Sequence, residues 1–392
     1  MKPNPQKKYH MNPIYFDNAA TTPLLPEVVA RMQKVLTDQF GNPSSVHGTG
    51  REAKAIIETA RKSIAKELCV KPAEIIFNSG GTEGDNMVLT SAVQSLGVKT
   101  IITSPIEHHA VLHVVEHLKQ HFGVQVFFVN LKPTGEIDYE DLVRLLQQDD
   151  TKKLVSLMHI NNEIGTFIDL KRVAELCKDH DALFHSDTVQ SVGHYRLDLS
   201  EIPIDFVVAA AHKFHGPKGI GFVFVRKSSG LTPMIHGGPQ ERGLRAGTES
   251  VHNIAGMEEA FLHAYTNLDT DKAYISDLKS YALDALKAAF PDAFFNGCCS
   301  DFNKSTYTII NVRLPIPPEK AALLSFSLDL QGISCSKGSA CQSGSEAGSH
   351  VLDHILSKEQ LVMPSIRISF SKYNTRQEVD RLIEVLCDYV KA

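Results

Sequence analysis

The sequence predicts an α/β fold: a mostly parallel seven-stranded sheet wrapped by helices, followed by a smaller α+β unit. Three observations carry that expectation. Between Pro26 and Val225 helical periodicity alternates with short runs of β-branched residues, the pattern written by helices packed on the faces of a parallel sheet. Beyond about Gly256 the alternation gives way to long helical stretches and then to further strand-like runs. The residues able to carry chemistry fall just after the strand-like runs, at the edge where open α/β sheets gather ligands.

In chain order the expected strands are residues 74–77, 100–103, 124–129, 154–159, 183–185, 206–210 and 220–225, each short and rich in Ile, Val, Leu or Phe. Helices at 52–68, 83–96, 110–122 and 170–179 fall between them. The second unit reads as helices at 257–265 and 276–290, strands at 307–312 and 365–370, and a closing helix at 375–390. The expected division is a large domain, 17–256, and a small domain made of 1–16 and 257–392. The small domain carries the most loop-like stretch of the chain, Ser334 to Ser349, rich in glycine and serine and expected to be mobile. No repeat at a solenoid period is visible.

The chain has 392 residues, 43% of them hydrophobic, which is enough for a sizeable core. A net charge of -5, with basic runs no longer than Lys7-Lys8, points away from nucleic acid or an anionic membrane surface. The first residues lack an apolar signal core and no apolar run approaches bilayer length, so a cytoplasmic protein is expected. Seven cysteines without C-x-x-C spacing suggest neither a disulfide framework nor a zinc knuckle. Cys69, Cys177 and Cys387 lie in amphipathic patterns and read as small buried hydrophobes. Cys298-Cys299 follows a turn signal, Asn296-Gly297, and has no assigned role.

The apolar run ending Ala209-Ala210-Ala211-His212-Lys213 sets an amine beside a Gly-Pro turn. Desolvation there favours the neutral amine, which can condense with the aldehyde of pyridoxal phosphate. That cofactor also needs a carboxylate for its ring nitrogen, a donor cradle for its phosphate and a flat group over its ring. Asp187, in Phe184-His185-Ser186-Asp187, is the candidate carboxylate, with a helix cap as its structural alternative. Asn78-Ser79-Gly80-Gly81-Thr82-Glu83 opens a helix after a strand and offers backbone N–H groups and the Thr82 hydroxyl to a phosphate. The same residues also read as a capping box, and the two roles are compatible. His108 follows the next strand and is placed to stack on a ring and move protons. His109, His113, His117 and His121 recur every four residues. Without an H-E-x-x-H motif they read as a solvated helix face, and no metal site is expected.

These residues together resemble the cysteine desulfurases of the NifS/IscS family, within the class V aminotransferase group of fold-type I pyridoxal-phosphate enzymes. The resemblance runs through Tyr15 to Pro23, Gly41 to Ser45, Ser79 to Asn86, Glu107-His108, His159 to Gly165, Asp187 to Gln190 and His212-Lys213. It continues through His236-Gly237-Gly238, Gln240 to Gly243, Arg245 to Thr248, Gly338 to Cys341 and Ser365-Ile366-Arg367. It implies that Lys213 holds the cofactor aldehyde, Asp187 pairs the ring nitrogen and His108 stacks on the ring. Gln190 and Asn162 would bond the ring hydroxyl region, while Gly81, Thr82 and His212 would hold the phosphate. Thr248 would reach the phosphate of a partner subunit in a homodimer. Asn162 and Arg367 would bind the substrate, Arg367 through its carboxylate.

Cys341 is the residue that would set a desulfurase apart from its aminotransferase relatives. It would take sulfur from L-cysteine as a persulfide, leaving L-alanine, and pass the sulfur to an acceptor protein. The long loop resembles that of group I desulfurases. Two positions depart from the family pattern: Ala210 where serine is usual, which removes a hydroxyl from the phosphate, and Lys337 where serine is common. The alternatives are an aminotransferase or selenocysteine lyase on the same fold, or a non-catalytic sulfur-transfer scaffold.

Overall fold

The computed structural model describes residues 13–337 and 348–391. Seven strands form one sheet: β1 (Ile75–Asn78), β2 (Thr100–Thr103), β3 (Gln125–Phe128), β4 (Lys153–Ser156), β5 (Leu183–Asp187), β6 (Phe206–Ala210) and β7 (Gly221–Val225). Their order across the sheet is β1-β7-β6-β5-β4-β2-β3. Only β7 runs antiparallel to its neighbours, so β1 points the same way as β2 to β6. The carboxyl ends of six strands therefore open on one edge.

The sheet is covered on both faces, and alternation along the strands shows how. Ile75, Phe77, Val207, Ala209, Phe222 and Phe224 belong to one core, while Ile76, Phe206, Val208, Val223 and Val225 belong to the other. Successive strand side chains point to opposite faces, so each strand must be apolar at nearly every position. The first core is closed by the helices Gly48–Glu67, Leu170–Asp179 and Val251–Thr266, the second by Gly81–Gln94 and His109–Phe122. The helix that straddles position 256 packs wholly with the first core through Val251, Ile254, Met257, Phe261 and Tyr265.

A further core joins Ile14 and Phe16 to Leu278, Leu286, Ile310, Val312, Ile366, Ile368, Leu382 and Leu386. It fills the space between the helices Leu268–Ala289 and Arg376–Lys391 and an antiparallel sheet. That sheet runs in the order Ser336–Lys337, Ser365–Ser369, Ile309–Arg313, Phe294–Phe295. Ile14–Tyr15 pairs in parallel with Ile333–Ser334.

Three expectations change. Asp187 is the last residue of β5, paired in register with Val208, rather than a residue beyond the strand. Cys69 is exposed, because the chain leaves its helix there through a left-handed turn (φ 57°) that swings it off the apolar face. Of the histidine stripe, His113, His117 and His121 are exposed, but His109 is half-buried between His113 and His350, with ring centroids 4.9 and 4.4 Å away. No metal-binding group of three or more His, Cys, Asp or Glu is found among the described residues.

Candidate active site

The carboxyl edge of the sheet gathers most of the expected residues around one cavity of about 310 Å³. Gly81, Thr82, His108, Asn162, Asp187, Gln190, His212, Lys213 and Arg367 all line it. So does Ala210, where a methyl group stands in place of the hydroxyl usual in the pattern. Thr248 does not: it lines a separate cavity of about 190 Å³ with Ser79, Glu241 and Arg245. Cys341 lies outside the described residues.

Lys213 ends a single turn, Ala211–Lys213, that follows β6. Its Nζ donates to the carbonyls of Ala19 at 2.6 Å and Ala20 at 2.9 Å. Gln190 Nε2 donates to the same Ala19 carbonyl at 2.9 Å. A backbone segment near the chain's beginning thus aims the amine into the cavity. Asp187 is buried, and its Oδ1 accepts the Val189 N–H at 2.9 Å. Burial raises its pKa, against the opposing pull of that hydrogen bond and of Lys213. Such a carboxylate is short of positive charge, which a cationic ring nitrogen would supply.

The cradle begins at Gly80 (φ 143°), a backbone angle open to glycine. Gly81 then starts its helix so close to Val189 that an added Cβ would meet Cγ2 at 2.9 Å. Glu83 fixes this turn by accepting the Ser79 N–H at 2.9 Å and pairing with Arg245 at 2.8 Å. Gly81 and Thr82, in the first turn of this helix, line the cavity, so the turn's unpaired N–H groups and positive dipole end border it. His212 is bonded through Nδ1 to Thr21 Oγ1 at 3.2 Å. Burial, then Lys213 and Lys218, lower its pKa to about 4, so it is neutral at pH 7.

His108 caps the helix His109–Phe122: its Nδ1 accepts the Ala110 N–H at 3.1 Å, which leaves the ring proton on Nε2. Burial, then the charges of Lys213, His109 and His113, bring its pKa to about 4. Arg367, 1% exposed, projects from the strand Ser365–Ser369. Its Nη1 donates to the Asn162 carbonyl at 2.8 Å and its Nη2 to Asp17 Oδ1 at 2.7 Å, while its buried Nε has no hydrogen-bond partner among the described residues.

A match to the Aminotransferase class-V family spans residues 14–382. The chain belongs to the class-V aminotransferase family. A relative named Cysteine desulfurase IscS, from Dictyoglomus turgidum, is 38% identical over 375 residues, which cover 95% of this chain and 93% of that one. Among solved structures, a NifS-like protein is similar with a TM-score of 0.88 and 34% identity over 97% of this chain and 99% of that one. SspA in complex with cysteine is similar with a TM-score of 0.78 and 30% identity over 92% of this chain and 100% of that one.

In this member of the class-V aminotransferase family the cavity fits pyridoxal phosphate: an amine, an under-compensated carboxylate, a helix N-terminus that begins at a glycine and a neutral imidazole converge on it. Two buried acids of the quoted motifs were assigned no role from the sequence. Asp85 lines the cavity, with neither oxygen hydrogen-bonded among the described residues and its Oδ1 3.4 Å from His185 Nε2. Burial, then the charges of Asp187 and Glu107, push its pKa well up. Glu107 accepts the Met158 N–H with both oxygens, at 3.0 and 2.9 Å, and burial raises its pKa too. The available signal for Asp85 was helical spacing, four residues after Gly81 and so on nearly the same face.

Glu163 is a further buried acid, held by the hydroxyl of Ser349, which caps the helix His350–Ile355. Burial pushes its carboxyl up to about 7, although the Ser349 hydrogen bond and Arg367 pull the other way. The unfolded value is about 4.3, so the folded chain keeps a proton that the unfolded chain has lost. The resulting stabilisation is complete below the unfolded value and disappears as pH rises through about 7. Glu163→Gln is expected to flatten this loss. Calorimetry between roughly pH 5 and 8 should show a smaller fall in Tm for the variant than for the wild type; equal slopes would refute the assignment.

Proposed function

We propose that this chain is a pyridoxal-phosphate-dependent cysteine desulfurase, a sulfurtransferase that converts L-cysteine to L-alanine and leaves a persulfide on Cys341. The observation that carries the reading is the single cavity that unites Lys213, Asp187, the Gly81–Thr82 helix end and Arg367, in a family whose similar members include named cysteine desulfurases. When bound, pyridoxal phosphate supplies an aldehyde for an amine and a ring that accepts electrons from the substrate's α-carbon. The remaining work belongs to the chain. Lys213 Nζ anchors the cofactor and moves the α-proton, and Asp187 holds the proton on the ring nitrogen. His108 covers the ring and keeps its own proton on Nε2. Gln190 and Asn162 address the ring hydroxyl side, and Gly81, Thr82 and His212 bind the phosphate.

Arg367, with its planar fork, grips the substrate carboxylate. The Cys341 thiolate attacks the substrate sulfur: the carbon–sulfur bond breaks, a sulfur–sulfur bond forms, and the carbon skeleton takes up a proton to leave as alanine. Cys335 is a poor substitute, since burial, and then Asp17, push its thiol up to about 12. The reading carries a homodimer in which Thr248 completes the partner's phosphate site. It also carries a division into a large and a small domain, expected at 17–256 and at 1–16 with 257–392, with the helix Val251–Thr266 packed on the large sheet's core across that boundary. The persulfide sulfur would pass to an acceptor protein, in iron-sulfur cluster assembly or tRNA thiolation, in the cytoplasm. Among the described residues no helix is long and apolar enough to cross a membrane.

The test is mass spectrometry of the cofactor-loaded protein after exposure to L-cysteine without reductant. A gain of one sulfur atom on the peptide containing Cys341, with one alanine released per sulfur, is expected. A keto acid in place of alanine, or no sulfur on that peptide, would overturn the reading in favour of an aminotransferase or a scaffold.

A further inference from the structure

Asp17, within the motif Tyr15 to Pro23, bonds two functional elements through one oxygen. Its Oδ1 accepts from Arg367 Nη2 at 2.7 Å and from Ser336 Oγ at 2.8 Å. Ser336 and Arg367 are themselves cross-strand partners in the antiparallel sheet, and the Asp17 backbone bridges to Ser369 two residues along that strand. Ser336 stands five positions before Cys341. Asp17 is 21% exposed at its side chain and Arg367 1%, so the pair is only lightly screened by water.

Arg367 has five N–H donors. One is spent on Asn162 and one on Asp17, while the buried Nε–H has no partner among the described residues. A ligand carboxylate that takes this guanidinium must come up beside the Asp17 carboxylate, and two anions on one buried cation repel. Part of the ligand's binding energy then goes into loosening the hold of Asp17. Ser336 hangs from the same oxygen, so it feels the change.

We propose that Asp17 is a positioning residue that couples occupation of Arg367 by an amino-acid carboxylate to the strand bearing Ser336, and so to the root of the segment that carries the sulfur-accepting cysteine. The inference rests on the desulfurase reading. Two consequences have opposite signs. Removing the Asp17 charge favours the ligand carboxylate, because a competing anion is gone. The same change slows turnover, because Ser336 loses its anchor. Reciprocity requires that ligand binding at Arg367 weaken the Ser336 contact as much as that contact weakens binding.

The experiment uses the cofactor-loaded protein and two variants, Asp17→Asn and Ser336→Ala. L-Alanine, which has no sulfur to give, reports carboxylate affinity through the cofactor's visible absorbance. For Asp17→Asn the Kd of alanine and the KM of cysteine should fall about threefold to tenfold, as for loss of one charge pair, while kcat falls about tenfold. For Ser336→Ala kcat should fall and alanine should bind somewhat more tightly, since the contact that opposes its binding is gone. Alanine should speed amide exchange across residues 333–337 in the wild type and not in Asp17→Asn. Weaker alanine binding in Asp17→Asn, or an unchanged kcat in either variant, would overturn the coupling; Ser336→Ala alone decides the matter should Asp17→Asn not fold. A wild type that forms no persulfide from cysteine sinks the desulfurase reading itself, whereas an active wild type with indifferent variants sinks only the role of Asp17.

Discussion

Lys213→Ala is expected to lower turnover of cysteine by about 10³-fold or more and to abolish the visible band that a covalently held pyridoxal phosphate gives. General acid–base work alone contributes roughly 10² to 10⁴, and Lys213 is assigned both that work and the anchoring of the aldehyde. Among the described residues no other lysine lines the cavity. The fold should survive, because Gln190 still holds the Ala19 carbonyl that Nζ gives up. The side chain stands at the cavity wall rather than in a core, so little apolar contact is lost. Lys213→Arg separates charge from nucleophilicity: a guanidinium keeps the cation beside Asp187 but stays protonated, so it should be as inactive as alanine. Steady-state alanine formation, paired with an absorbance spectrum and a thermal melt, makes the check. Turnover within tenfold of the wild type with a normal melt would remove Lys213 from the chemistry.

The strands of the large sheet were legible because burial on both faces forces nearly continuous apolar runs. Residues 100–103 and 206–210 coincide with β2 and β6, and the other five strands fall within three residues of expectation. Strand direction was less so. Nothing local in Gly221–Val225 distinguishes it from its parallel neighbours, and its reversal goes with the connection 211–220, which is too short to carry a crossover helix. Lys213, Asp187, His108 and Gly81 were legible one by one, since each comes at or shortly after the end of a strand-like run; their convergence with Arg367 was not, because Arg367 arrives from another sheet. The hold on Lys213 was invisible for a different reason: it comes from the carbonyls of Ala19 and Ala20, which any residue type would present. His109 was misjudged for want of its neighbour, since its cover is His350, more than two hundred positions away.

Arg367→Met should raise KM for cysteine by about 10² to 10³-fold, the range expected when one member of a buried, hydrogen-bonded charge pair is truncated. Kcat should fall as well, since the Asn162 carbonyl and Asp17 both lose their donor. Arg367→Lys discriminates charge from geometry. An ammonium restores the cation but cannot reach the Asn162 carbonyl, Asp17 and a ligand carboxylate from one plane, as a fork does. It should recover part of the loss and stay about tenfold above the wild-type KM, consistent with one charge-assisted hydrogen bond forgone. The stability cost of the methionine variant should be modest, because it removes a buried Nε that already lacks a partner among the described residues. Asp17, partly exposed, can also turn to water. Titration of each cofactor-loaded variant with alanine isolates the carboxylate grip from the sulfur step. A wild-type alanine Kd in Arg367→Met would mean that the substrate carboxylate is held elsewhere in the cavity, by another donor on its wall such as Asn162, His108 or His212.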